Sequence, residues 1–183
     1  MICKKERSTG CFACYNICPK NAIVMSKDLY GNVYPSIDKN KCISCNMCRK
    51  VCPQLIEKLD LVKPLDAYAL YNSNEKKRLE STSGGAASLF YEYIIKNGGI
   101  GYGVSNLFQK DEFHFERIDK IGDISKFKGS KYVHCYVNDI FKSVLKDLKN
   151  EKVVLFVGTP CQVSGLKSFL LKPYNNLITI DII

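Results

Sequence analysis

Residues 42–53 read Cys42-Ile43-Ser44-Cys45-Asn46-Met47-Cys48-Arg49-Lys50-Val51-Cys52-Pro53, four cysteines at x2, x2 and x3 spacing closed by a proline. An earlier stretch, Cys11-x2-Cys14-x3-Cys18-Pro19, repeats it. One constant step carries Cys45 onto Cys11, Cys48 onto Cys14, Cys52 onto Cys18 and Pro53 onto Pro19. The same step carries Cys42 onto Ser8. The duplication is therefore complete except for one side chain.

Thiolates are soft anionic donors, and x2 spacing lets successive sulfurs reach adjacent irons of one cluster. In bacterial two-cluster ferredoxins the fourth cysteine of such a run crosses to the other cluster. By that rule Cys42, Cys45, Cys48 and Cys18 hold one 4Fe-4S cluster. Cys11, Cys14 and Cys52 hold the other, and Ser8 stands where its fourth ligand would be. A hydroxyl gives up its proton far less readily than a thiol. Cys3 could fold back to substitute, since five extended residues reach about 17 Å. Otherwise the site holds a three-iron cluster, or none. The sequence favours a compromised or three-iron first site, with Cys3 a mobile terminal thiol. Zinc on two CxxC pairs is the alternative, but it leaves further cysteines and both Cys-Pro ends without a use.

A chain of 183 residues suggests one or two domains, and 46% hydrophobic content supports a core beyond the cysteines. Ten cysteines with tight spacing and no signal-peptide pattern point to a reducing compartment, the cytoplasm, rather than to disulfides. No apolar stretch approaches the roughly 20 residues of a membrane span, so no membrane insertion is expected. The net charge of +9 is spread among acids, as in Lys142, Lys146, Asp147, Lys149 and Glu151. Nucleic acid is therefore not the expected ligand; a basic face suits an acidic redox partner protein or a phosphate-bearing cofactor.

The expected fold is an α+β ferredoxin-like two-cluster module followed by an α/β domain. Residues 1–56 form the module and 57–65, with Pro64, a linker. Residues 66–149 begin the α/β domain and 150–183 start its C-terminal portion, cut short. Strands are expected at Ala67–Tyr71, Ile100–Leu107, Glu112–Ile118, Lys152–Val157 and Leu177–Ile183, the last two buried. A turn at Tyr30–Pro35 is flanked by short strands. Helices are expected after Ser81–Gly85, with Ala86, Leu89, Phe90, Tyr93 and Ile94 on one face, and at Val137–Leu148 and Pro160–Leu171. The chain stops within an apolar strand, which reads as the N-terminal portion of something longer.

Two loops in the second part carry candidate cofactor contacts. Ser83, Gly84 and Gly85 precede a helix, where free N–H groups can receive a phosphate or where Ser83 simply caps. Thr159, Pro160 and Cys161 open the next helix after a buried strand. Pro160 suits the first helical position, and Cys161 is a ligand, a redox thiol, a cofactor contact or a plain buried cysteine. Ser130 and Lys131 add hydroxyl and ammonium groups, while His114, His134 and Cys135 read as structural. No Walker, GxGxxG or serine-hydrolase pattern occurs, and no catalytic residue is assigned.

Taken together, Cys18-Pro19-Lys20-Asn21-Ala22-Ile23, Ser81-Thr82-Ser83-Gly84-Gly85, Lys128-Gly129-Ser130-Lys131-Tyr132-Val133 and Gly158-Thr159-Pro160-Cys161-Gln162 resemble the coenzyme F420 hydrogenase/dehydrogenase beta-subunit family. That resemblance implies FAD held in the α/β domain beside the cluster module. It further implies electrons passing from clusters to flavin and then as hydride to an acceptor, with a hydrogenase- or dehydrogenase-type subunit as partner. Archaeal members use a deazaflavin coenzyme; others use different acceptors. A non-catalytic electron carrier or scaffold is the alternative.

Overall fold

The computed structural model of the chain describes residues 2–56, 63–109 and 112–183. Most of the expected linker at 57–65 therefore lies outside the described residues. The sequence duplication is also a backbone duplication. Gly10 and Ser44, one step apart, take left-handed φ of 61° and 55°, and Phe12 and Asn46 take 64° and 58°. Each second member caps a short helix, α1 (Ala13–Ile17) and α2 (Met47–Lys50). Alternating hand turns successive N–H groups inward, a concavity used at iron–sulfur sites. Between the runs, β1 (Ile23–Lys27) and β2 (Val33–Ile37) pair antiparallel, Ile23 opposite Ile37. Their turn is locked by Asp28, whose Oδ1 accepts from the N–H groups of Tyr30 and Asn32 at 2.9 Å.

The second part builds a five-stranded mixed sheet among the described residues, ordered β5-β4-β3-β6-β7. Strands β3 (Ile100–Gln109) and β4 (Glu112–Ile118) form the expected antiparallel pair. Strands β6 (Val154–Gly158) and β7 (Leu177–Asp181) add in parallel on the β3 side, and the two-residue β5 (Cys135–Tyr136) adds to β4. Helix α4 (Ala86–Lys96) covers one face, where Tyr91, Ile94 and Ile95 meet Leu155 and Val157. Helices α5 (Ile140–Lys149) and α6 (Pro160–Leu170) cover the other, with Phe141, Val144 and Leu166 against Tyr102, Val154 and Phe156. A short helix, α3 (Glu75–Leu79), precedes α4. The sheet runs unbroken across the expected division at 149/150.

Four expectations need correction. Ala67–Tyr71 is not a strand: no strand pairs with it among the described residues, and Tyr68, Leu70 and Tyr71 are exposed. The buried face of α4 is Tyr91, Ile94 and Ile95, whereas Phe90 and Tyr93 face outward, because the sheet lies on the other side of the helix. Helix α5 starts at Ile140, not Val137, since Asn138 takes a positive φ of 47° and turns the chain first. Strand β7 is an edge rather than a buried strand; Ile178 is exposed because no strand covers its outer side among the described residues.

The module docks on the α5/α6 face of the sheet. Phe12 is 1% exposed and packs edge-on to Tyr15 and Tyr136, each with centroids 5.7 Å away. Burying such a ring contributes about 1.5–3 kcal/mol. Beside it, Asn16 Nδ2 donates to the Phe12 carbonyl at 3.0 Å and the Asn138 carbonyl at 2.7 Å. Gly10 lies under His134: a Cβ there would stand 2.8 Å from the ring and 2.9 Å from the Val33 carbonyl. Only glycine suits that φ and that approach.

Candidate iron–sulfur centres

The two cysteine runs interleave. Cys18, from the end of the first, lines one cavity with Cys42, Cys45 and Cys48 of the second; its volume is about 420 Å³. Cys42 and Cys45 are exposed, with Lys20 and Arg49 also on the lining. The Cys18 sulfur already accepts a hydrogen bond from the Ala22 N–H at 3.2 Å. The donor set, four thiols around an open concavity, fits a four-iron cluster.

A second cavity gathers Cys11, Cys14 and Cys52, together with Ser8 and Cys3. It is narrow, about 20 Å³, and Cys3 packs there against the cluster containing Cys14 and Cys52. Burial dominates its electrostatics. It pushes the Cys11 and Cys14 thiols up, and that of Cys52 to about 11, with neighbouring thiols adding to each shift. Burial likewise raises Cys48. Among the described residues no three Cys, His, Asp or Glu side chains converge on a point that one ion could occupy. A zinc ion needs sulfurs about 2.3 Å from its centre, whereas a cluster is a larger body held by sulfurs set further apart.

The narrow site abuts the α/β part. A Cβ on Gly165 of α6 would meet Cys11 Cβ at 3.0 Å, its carbonyl oxygen at 3.1 Å and its Sγ at 3.2 Å. Cys161, half-buried one turn earlier, is close enough to raise the Cys11 thiol further, and its Sγ lies 3.2 Å from Thr159 Oγ1. Pro160 occupies the first position of α6 as expected, and Thr159 N–H donates to Gln162 Oε1 at 2.9 Å.

The short turn after α4 reverses the chain into β3, and α6 leaves the end of β6, which runs parallel to β3. The N-termini of α4 and α6 therefore both point toward the carboxyl ends of the parallel strands, where open α/β sheets bind ligands. Gly85, not Ser83, caps α4, at φ 77° and without a side-chain bond; Ser83 is exposed. The Ser81 and Gly129 loops are tied by Lys128 Nζ to Glu80 Oε2 at 2.7 Å. Ser130 is exposed, but Lys131 Nζ donates to the carbonyls of Phe127 at 3.1 Å and Lys128 at 2.9 Å within its own loop. His114 Nδ1 lies 2.8 Å from Asn138 Nδ2, Cys135 is buried, and His134 Nε2 is buried without a hydrogen-bond partner among the described residues. Sequence reasoning missed Gly165 and Arg49, which act through distant contacts that no local pattern marks.

Among the described residues no helix is long and apolar enough to cross a membrane. Residues 8–56 match the family described as the 4Fe-4S dicluster domain. The chain is 34% identical over 64 residues to an uncharacterized ferredoxin of Methanocaldococcus jannaschii, an alignment covering 35% of this chain and 82% of that protein. It is 24% identical over 165 residues to the coenzyme F420-dependent sulfite reductase of the same organism, covering 90% of this chain and 25% of that protein. The chain thus spans a quarter of the reductase's length. The matched N-terminal module is an iron–sulfur electron-carrier domain, and through it the chain belongs to the 4Fe-4S dicluster ferredoxins.

Proposed function

We propose that the chain is the cluster-bearing part of an iron–sulfur flavoprotein oxidoreductase of the coenzyme F420 hydrogenase/dehydrogenase beta-subunit type. The observation that carries the cluster assignment is the shared cavity of Cys18 with Cys42, Cys45 and Cys48, ligands drawn from both repeats. On this reading Cys11, Cys14 and Cys52 hold the first cluster. Bound there, two clusters supply one-electron relay, and FAD supplies the exchange between single electrons and hydride.

The chain's own residues give the relay a direction. Cys42 and Cys45 are exposed, amid exposed Lys20, Lys39, Lys41, Arg49 and Lys50, so this end receives an acidic redox partner. Cys11 and Cys14 are sheltered, and Cys11 lies against α6, below the Thr159-Pro160-Cys161 turn. The Ser83–Gly85, Ser130–Lys131 and Thr159–Cys161 segments line the flavin side, supported by their common place near the carboxyl ends of the strands. The alignment along most of the chain to an F420-dependent reductase supports the same reading. Residues 1–56 thus carry the clusters and the remainder the flavin-facing surface. Ten free cysteines suit a reducing compartment such as the cytoplasm.

One observation favours the alternative of an electron carrier without a flavin: Lys131 is spent on its own loop carbonyls rather than offered to a phosphate. Anaerobic titration of the reconstituted chain with FAD separates the two. Saturable quenching of flavin fluorescence, weakened by Thr159→Ala or Gly85→Val, supports the flavoprotein. No binding up to high micromolar FAD leaves the carrier.

A further inference from the structure

The N-terminal strap is fastened. Ile2 is 2% exposed, and its carbonyl accepts from Arg49 Nη1 at 3.0 Å, so the residue before Cys3 is pinned to the second repeat. A single turn at Lys5–Arg7 follows, with Arg7 N–H donating to Lys4 and Ser8 N–H to Lys5, both at 3.1 Å. Lys5 Nζ stands 4.6 Å over the Tyr34 ring. This turn shortens the path from Cys3 to Ser8, so both reach the cavity of Cys11, Cys14 and Cys52. There Cys3 packs against the buried cluster of Ile2, Cys14, Ile23 and Cys52.

We propose that Cys3 is the fourth protein ligand of the first cluster, completing a Cys3, Cys11, Cys14 and Cys52 set in place of the cysteine that Ser8 displaces. The inference rests on the ligand assignment proposed above. The chemistry favours it: a thiol yields a soft anionic donor at neutral pH, and an alcohol does not. Geometry favours it as well. Cys11, Cys14 and Cys52 are embedded beside α1, α6 and the turn at Pro53, whereas Lys4–Arg7 are exposed. Where a cluster needs room between Cys3 and the three embedded thiols, the exposed strap is the side that can yield while Ile2 stays anchored. The sequence alone favours a three-iron or empty site; the fastened strap reverses that preference.

The test is iron and acid-labile sulfide per chain, with the EPR spectrum of the oxidised protein, after anaerobic reconstitution of the full chain. Wild type and Ser8→Ala are expected to hold about 8 irons and to be EPR-silent when oxidised. Cys3→Ala is expected to fall to about 7 irons with the signal of an oxidised three-iron cluster, or to about 4. Adding Ser8→Cys to Cys3→Ala restores about 8, which also shows that the fold survives. A Cys3→Ala protein with wild-type iron and no new signal overturns the proposal. So does wild type with about 4 irons or a three-iron signal, even if Cys3→Ala fails to fold, and the ligand set at Cys18, Cys42, Cys45 and Cys48 then still stands. Wild type that takes up no iron overturns both.

Discussion

Replacing Gly165 by alanine sets two effects against each other. Alanine in a helix interior is worth about 1 kcal/mol over glycine, so on propensity alone α6 gains. The new Cβ, however, would stand 3.0–3.2 Å from three atoms of Cys11, and Cys11 must give by a few tenths of an ångström. It has little room, since the next residue is Phe12, 1% exposed and held in a left-handed conformation. Overpacking of this kind costs about 1–3 kcal/mol. The net effect is a destabilisation of about 0–2 kcal/mol. The displacement falls on a proposed cluster ligand, so the loss should be larger in the iron-loaded protein than in the metal-free one. Urea unfolding of both forms, with iron per chain, measures this. Gly165→Ala should lose iron from the first site and keep it at Cys18, Cys42, Cys45 and Cys48. A variant about 1 kcal/mol more stable than wild type, with unchanged iron, would refute the close approach of α6 to the cluster site.

Tyr102→Phe removes the hydroxyl that donates to Asp147 Oδ2 at 2.6 Å, leaving that oxygen to Arg117 Nε at 2.8 Å. A buried bond to a carboxylate is worth about 1.5–3 kcal/mol, and chemical denaturation should show a loss in that range. An unchanged midpoint would mean that the Arg117 pair alone ties α5 to the sheet. Acidification should lower the thermal midpoint in two stages. Burial, then Lys27, depress the His134 pKa, so its contribution is complete above about pH 6.5 and is lost as pH falls through the folded value. Hydrogen bonds from Lys77 and Lys96 depress Glu92, and Lys128 depresses Glu80; their contributions hold above about pH 4.3 and fade as pH falls through the folded values. The difference between wild type and His134→Asn melts should shrink between pH 7.5 and 5.5, about one unit on either side of the free imidazole value; a constant difference would sink the first stage.

What the sequence made legible was whatever local chemistry dictates. Metal-ligand spacing demands particular residues at particular steps, so the two runs, their crossing and the flaw at Ser8 were readable from letters. Pro160 marked the start of α6, and alternation marked β3 and β4. What depends on partners far along the chain was not readable. Tyr68 and Leu70 have the letters of a strand, but among the described residues no neighbouring edge pairs with them. The face of α4 was ambiguous because apolar residues surround the helix, and only the position of the sheet chooses Tyr91 and Ile95 over Phe90 and Tyr93. Strand β7 has the letters of a buried strand and the position of an edge. Cys3 looked idle because its placement depends on Arg49 reaching the Ile2 carbonyl across most of the module.

The crossing of cysteines between repeats has a consequence for how iron is acquired. On the proposed ligand sets each cluster ties together segments that lie far apart in sequence, so neither repeat can complete a site by itself. Whichever cluster forms first closes the long loop between the runs and removes chain entropy that the other would otherwise have to overcome. Loading should therefore be cooperative, with single-cluster chains scarce at intermediate iron supply. A cut in the turn between β1 and β2 should empty both sites together rather than one.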